Sequence, residues 1–290
     1  MVTGGDDNAF SIGKAIERYN PSVAGLSHGS NKFAYCYGPI CPSGSIFQPF
    51  NPTAFGLNAA QSGAWVTKGN INNQFKYLDR YYSQIVCSNE DPWKLMVFLM
   101  GFNNMCLGCM KYPREKYFNA DKYEKNVRYA IEKLRTKYSK MIVVLLAPFH
   151  VSTADRMVRA IPTCMAIQKQ YPTGCMCGRV SKLNGVPMMD ELATQYADRL
   201  EKIAFDYQSH NDPLFNVMYD PGLAKLNMSD STIQDNWSGG DCFHPIKRTH
   251  ERLAVSLWNN LMKPYAQKQQ FEMRWKQTPE CPTESSRIRF

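Results

Sequence analysis

No stretch of this chain approaches the ~20 consecutive apolar residues that a membrane-spanning helix requires. That excludes a spanning helix within its 290 residues. The start shows no signal peptide either, since Met1-Val2-Thr3 leads straight into glycine, aspartate and asparagine. Internal repeats and low-complexity tracts are absent too, so nothing in the composition divides the chain into several units. Nor is there a block of one charge. The formal net charge is +9, but Arg114, Lys116, Lys122, Lys125, Arg128, Lys133, Arg135 and Lys137 are interleaved with Glu115, Asp121, Glu124 and Glu132. This reads as a solvated helix surface, with no nucleic-acid partner. Tyr77, Tyr81 and Tyr82 read as helix packing and not as a base-stacking platform.

What is present is a chain 44% hydrophobic, long enough to bury a full core. Helical and extended patterns alternate. Phe10 to Tyr19, Ala120 to Tyr138 and Met188 to Tyr207 carry apolar residues at helical spacing, while Leu95 to Gly101 and Met141 to Ala147 are apolar runs of strand length and Leu214 to Tyr219 reads as extended. This alternation predicts an α/β fold, a mainly parallel sheet covered on both faces with its site at the carboxyl ends of the strands. We expect a domain over residues 1–266 and a polar, basic tail over 267–290, frayed except where Cys281 pins it.

Ten cysteines are many for a reducing compartment. Cys36, Cys41, Cys87, Cys106, Cys109, Cys164, Cys175, Cys177, Cys242 and Cys281 form an even set, and the sequons Asn227-Met228-Ser229 and Asn236-Trp237-Ser238 fit the same oxidising route. A zinc site from Cys106, Cys109, Cys175 and Cys177 is the rival reading, but Cys-x-Cys is not the usual spacing. Residues 152–187 break the helix–strand rhythm with prolines, glycines and three cysteines, and read as a stapled insertion beside the pocket.

Asp241-Cys242-Phe243-His244 offers a carboxylate and an imidazole at three-residue spacing, ahead of Pro245 and an amphipathic helix through Leu253, Leu257 and Leu261. Proline favours the first helical position, so His244 is expected at the cap of that helix. An acid that binds one ring nitrogen leaves the other free to deprotonate a hydroxyl in acyl transfer. The bland reading is a chance pair in a loop. Leu95 to Gly101 would deliver Asn103 to the edge of the sheet, where a side-chain amide can hold a developing oxyanion. In Leu57 to Ala64, read as a short strand followed by small residues, Gly63 has no side chain to keep its N–H from such an anion. His150 and His250 lack the Asp-x-x-His context and read as structural or solvent-facing.

Taken in order, these blocks resemble the SGNH, or GDSL-type, ester hydrolases, and within them the membrane-associated phospholipase B branch. Leu57 to Ala64 is similar to the family's glycine block, Gly101-Phe102-Asn103-Asn104 to its Gly-Gly-Asn-Asp block, and Asp241 to His244 to its Asp-x-x-His block. Leu257-Trp258-Asn259-Asn260 and Cys106-x-x-Cys109 resemble the phospholipase B branch in particular. The resemblance implies a flavodoxin-like three-layer sandwich, Gly63 and Asn103 lining an oxyanion hole, His244 as general base and Asp241 as its orienting acid. It also implies an acyl-ester substrate such as a phospholipid or lysophospholipid, no metal or organic cofactor, and a secreted or membrane-surface setting for the full-length protein. Phe102 and Asn104 depart from the family's Gly and Asp.

The family's Gly-Asp-Ser-Leu block at the end of its first strand has no counterpart. Gly4-Gly5-Asp6, the helical pattern behind it and Asn20-Pro21 resemble the stretch that follows that block. We therefore expect the first strand and its serine to be missing from this sequence and the chain as written to be inactive. The alternative is a catalytically dead lipid-binding or regulatory homologue. Ser27 and Ser30 are the nearest substitutes, but their region reads as an inner strand and loop. Ser62, beside Gly63, reads as a turn residue.

Overall fold

The computed structural model describes residues 3–29, 51–86, 90–150, 161–170, 175–179, 185–224, 226, 244–271 and 277–289. Asp241, Ser30, both sequons and Cys36, Cys41, Cys87 and Cys242 lie outside them. In chain order the elements are α1 (Ile12–Glu17), α2 (Pro52–Phe55), α3 (Lys68–Ile85), β1 (Lys94–Phe98), α4 (Phe102–Met105), α5 (Lys111–Pro113), a π-helical turn (Arg114–Phe118) and α6 (Ala120–Lys137). They continue with β2 (Met141–Leu146), α7 (Pro162–Gln170), α8 (Met176–Arg179), α9 (Gly185–Gln208), β3 (Phe215–Asp220) and α10 (Lys247–Leu261).

The strands form a parallel sheet in the order β1-β2-β3, with Lys94 opposite Met141 and Met141 opposite Phe215. Successive side chains point to opposite faces of a strand, and the core divides accordingly. Val143, Leu145, Val217 and Tyr219 pack against Tyr123, Val127, Ile131 and Leu134 of α6 and Leu192, Tyr196, Leu200 and Ile203 of α9. On the other face Val144, Leu146 and Met218 meet Ile12 and Ala15 of α1 and Leu257, Trp258 and Leu261 of α10. These are the helix–sheet–helix layers expected from the alternating pattern. Two acids on α6 are met by cations of α9: Glu124 meets Arg199 at 3.3 Å and Lys202 at 3.4 Å, and Asp121 meets Arg199 at 2.8 Å.

Three local expectations are corrected. Leu57 to Ala60 forms no strand: a turn at Gly56 and Leu57 ends α2, and the following residues run without a ladder. The segment is small and polar, and lacks the β-branched residues that suit a pleated surface. α10 begins at Lys247 behind an Ile246 cap, so His244 lies three residues ahead of the helix and not at its cap. The tail does not fray where it is described. Phe271 is buried, Trp258 Nε1 donates to Glu280 O at 2.8 Å, and Asn259 bonds both Thr278 O and Glu280 N. Asn260 holds the chain earlier, at Gln269. Leu257-Trp258-Asn259-Asn260 is thus a strap for the tail, and Cys281, expected to pin it, is an exposed free thiol.

The insertion is stapled. Cys106 is bonded to Cys175 and Cys109 to Cys177, while Cys164 is also disulfide-bonded. The four cysteines of the zinc reading are therefore two disulfides.

Candidate active site

Asn103 is tied to Ala64, the residue after Gly63, at the carboxyl edge of β1. Gly101 makes this exit at φ 130°, a conformation that side-chain-bearing residues rarely adopt, and an added Cβ would stand 3.2 Å from Tyr123 and 3.3 Å from Tyr196. Those two rings are stacked 3.9 Å apart, and Tyr123 Oη donates to Met100 O at 2.9 Å, so the exit is held from both sides. α4 then presents Asn103, whose Nδ2 donates to Ala64 O at 3.0 Å. That bond uses one amide hydrogen and leaves the second available. Next to Ala64, Gly63 turns at φ 74°.

The departures from the family pattern have physical roles here. Asn104 is fully buried and its Oδ1 accepts from Val66 N at 2.9 Å, a second tie between the glycine block and β1. A carboxylate could accept the same bond; the amide keeps the acceptor and adds an Nδ2 that has no partner among the described residues. Phe102 lies against Phe149 with ring centres 4.7 Å apart, covering the exits of β1 and β2 with an apolar wall where a glycine would leave space.

His244 is exposed on the approach to α10. Nothing in the described geometry places it relative to Asn103, and Asp241 lies outside the described residues. His150 is tied to α9 through Thr194 Oγ1 at 3.1 Å. Gly25-Leu26-Ser27-His28-Gly29 does have the Gly-x-Ser-x-Gly spacing of a nucleophile elbow, a signal that reading the segment as an inner strand passes over. The structure supports the strand reading. Ser27 is buried, forms a parallel bridge to Gly4, and is not among the residues with positive φ, so it has neither the exposure nor the strain of an elbow serine. Ser62 is exposed.

Sequence reasoning missed a buried carboxyl on this edge. Asp220 ends β3 with no exposed surface; its Oδ1 accepts from Gly222 N at 2.7 Å and Asn260 Nδ2 at 3.1 Å, and its Oδ2 has no partner among the described residues. Burial pushes its pKa up to about 6. The only sequence signal is an acid closing an apolar strand just before Pro221-Gly222. His250, in the first turn of α10, moves the other way: burial, and to a lesser extent the nearby His244, lower its pKa to about 4.

These two shifts oppose each other in the pH dependence of folding. A raised Asp220 contributes stability below its unfolded pKa near 4 that is lost as the pH rises through about 6. A depressed His250 lacks its contribution near pH 4 and regains it as the pH rises through its unfolded value of 6.5. Each spans ~2 pH units or slightly more, ~3 kcal/mol, so between pH 4 and 6.5 they nearly cancel. Asp220→Asn is therefore expected to gain ~3 kcal/mol relative to the parent over that interval, and His250→Gln to lose about as much. Urea denaturation at pH 4, 5, 6 and 7 measures both. Parallel profiles for parent and variants would contradict the assignment.

A three-layer α/β fold with an amide and a positive-φ glycine at its sheet edge is the frame of an ester hydrolase, and the family comparison agrees. The model described as GDSL-like Lipase/Acylhydrolase matches residues 2–257, and the chain belongs to that family. Among curated proteins it is similar to "Phospholipase B1, membrane-associated" of Mus musculus, 20% identical over 98% of this chain and 18% of the relative. The Rattus norvegicus protein of the same name is 21% identical over 98% of this chain and 19% of the relative, and the Homo sapiens protein is 20% identical over 91% and 17%. The chain thus spans less than a fifth of the length of these relatives.

Proposed function

We propose that this domain hydrolyses the acyl esters of phospholipids or lysophospholipids. The observation that carries the reading is the tie between Asn103 and the glycine block at the carboxyl edge of β1, in a chain of the lipase/acylhydrolase family. In the reaction a serine hydroxyl attacks the ester carbonyl while His244 takes its proton, with Asp241 holding the imidazole in the required orientation. The carbonyl oxygen becomes an anion between the free hydrogen of Asn103 Nδ2 and Gly63 N–H. Collapse of the tetrahedral intermediate expels the alcohol, protonated by His244, and water activated by the same imidazole releases the acyl group. Every proton passes through side chains, so no metal or organic cofactor is needed. Phe102 and Phe149 would lie against the acyl chain.

The sequence contains no Gly-Asp-Ser triplet. The unextended chain is therefore expected to hydrolyse a short-chain ester and a lysophospholipid at least ~10⁴-fold more slowly than a form extended upstream through a Gly-Asp-Ser strand. Steady-state kinetics of both forms decide this. Robust turnover by the unextended chain, abolished by His244→Ala, would reveal an internal nucleophile. Absence of turnover by both, with retained lysophospholipid binding, would favour a lipid-binding homologue.

A further inference from the structure

The segment between the Cys109–Cys177 bridge and α6 takes no part in the oxyanion cradle, yet it combines exposed aromatic surface with positive charge. Tyr112 is 64% exposed and Tyr117 41%. The Lys116 ammonium lies 5.3 Å from the centre of the first ring and 5.1 Å from the second, and donates to Tyr112 Oη at 2.9 Å. The rings meet edge to face at 6.4 Å, so two aromatics and a cation form one unit. Lys111 is exposed and Arg114 partly so, and Glu115 is the only acid in the segment.

The unit is rigidly mounted. At its end Phe118 is buried, packs edge-on against Trp65 at 5.5 Å, and accepts a hydrogen bond from Tyr196 Oη at its carbonyl. Trp65 lies two residues beyond Gly63. At its start the disulfide at Cys109 closes the loop that leads from Asn103. The patch and the cradle are therefore built on the same short stretches of chain.

Tyrosine has an apolar body and a polar tip, and it is favoured at a lipid headgroup boundary. Lysine and arginine beside it are drawn to anionic headgroups. We infer that Lys111–Tyr117 anchors the carboxyl edge of the sheet on an anionic lipid surface, with Tyr112 and Tyr117 at the headgroup boundary and Lys111, Arg114 and Lys116 on the phosphates. The purpose of the anchor rests on the lipid-ester reading, since it would bring ester bonds to the Asn103–Gly63 edge; its existence does not.

The test is co-flotation of the purified chain with vesicles of phosphatidylcholine alone or mixed with phosphatidylserine. The parent should partition roughly tenfold more strongly onto the mixed vesicles, at about fivefold per engaged cation discounted for screening. Tyr112→Ser/Tyr117→Ser should lower that partition roughly tenfold, and Lys111→Gln/Lys116→Gln, which leaves Arg114, about fivefold, with melting temperature unchanged in both. Lys76→Gln/Lys125→Gln, which removes the same charge from exposed positions on α3 and α6, should lower it by less than about twofold. Equal losses in the two charge variants would mean diffuse attraction and overturn the proposal. So would failure of the parent to bind, or retention on heparin without vesicle binding. Hydrolysis of a soluble short-chain ester by the upstream-extended form, measured in parallel, separates the two readings: no hydrolysis of any ester refutes the enzyme, while the flotation result still judges the anchor.

Discussion

Replacing Cys109 and Cys177 by alanine is expected to cost ~2 kcal/mol of stability, and replacing all four cysteines of the paired bridges ~6 kcal/mol. The non-additivity follows from overlap, since the two bridges interleave in sequence and close almost the same loop. Either bridge alone closes a loop of nearly seventy residues, 69 positions for Cys106–Cys175 and 68 for Cys109–Cys177, and in the chain-entropy view one such closure is worth ~4 kcal/mol. Once one bridge exists, the other closes only the small ring formed by the segments Cys106 to Cys109 and Cys175 to Cys177, worth ~2 kcal/mol. Removing Cys106 and Cys175 instead should therefore give nearly the same first loss, and the two losses should sum to less than the loss from removing both bridges. Urea denaturation of the parent, the two paired variants and the quadruple variant forms the cycle. Strict additivity, or a quadruple variant as stable as either pair, would show that the bridges do not act by restricting the unfolded chain.

The bridges also show what a single sequence makes legible. Ten cysteines and a proline- and glycine-rich insertion announce that staples exist and where they cluster, but pairing depends on which loops the sheet brings together. The strands are legible because β2 is an uninterrupted apolar run and β1 and β3 are mostly apolar, and α6 and α9 because their buried residues recur at helical spacing. The glycine block reads as partly extended from its sequence because what holds it in place is long-range: Val66 N and Ala64 O are bonded by side chains of Asn104 and Asn103, about forty residues away in sequence. Nothing local encodes such ties. The same is true of Trp258, Asn259 and Asn260, which secure a tail whose own composition suggests fraying. Asp220 is hidden in the sequence for a related reason, since a carboxyl after an apolar strand looks like the start of a loop, and only the packing of Leu146, Leu257 and Phe271 around it makes it a buried acid.

In a form extended upstream by a Gly-Asp-Ser strand, Asn103→Ala is expected to lower kcat by ~10²–10³ with little change in KM. The lost donor acts on charge that exists only in the transition state, which is why the effect belongs in kcat. Asn103 has a second duty, the bond to Ala64 O, and its loss is expected to cost ~1 kcal/mol of stability. The other proposed donor can be tested on its own. Ala64 can be left in place while Gly63→Ala is made: at φ 74° the new Cβ strains the turn and displaces the other proposed donor, so kcat should fall by a similar factor although Asn103 is intact. His244→Ala should be more severe, ~10⁴–10⁶ in kcat, because without a base the serine is not deprotonated and the step that Asn103 assists no longer carries the rate. Adding Asn103→Ala to His244→Ala should consequently reduce the residual rate by much less than in the parent, since the two residues act on one step. Multiplicative losses would mean that Asn103 acts apart from His244, and a rise in KM with unchanged kcat for Asn103→Ala would make it a prop for the glycine block and not an oxyanion donor.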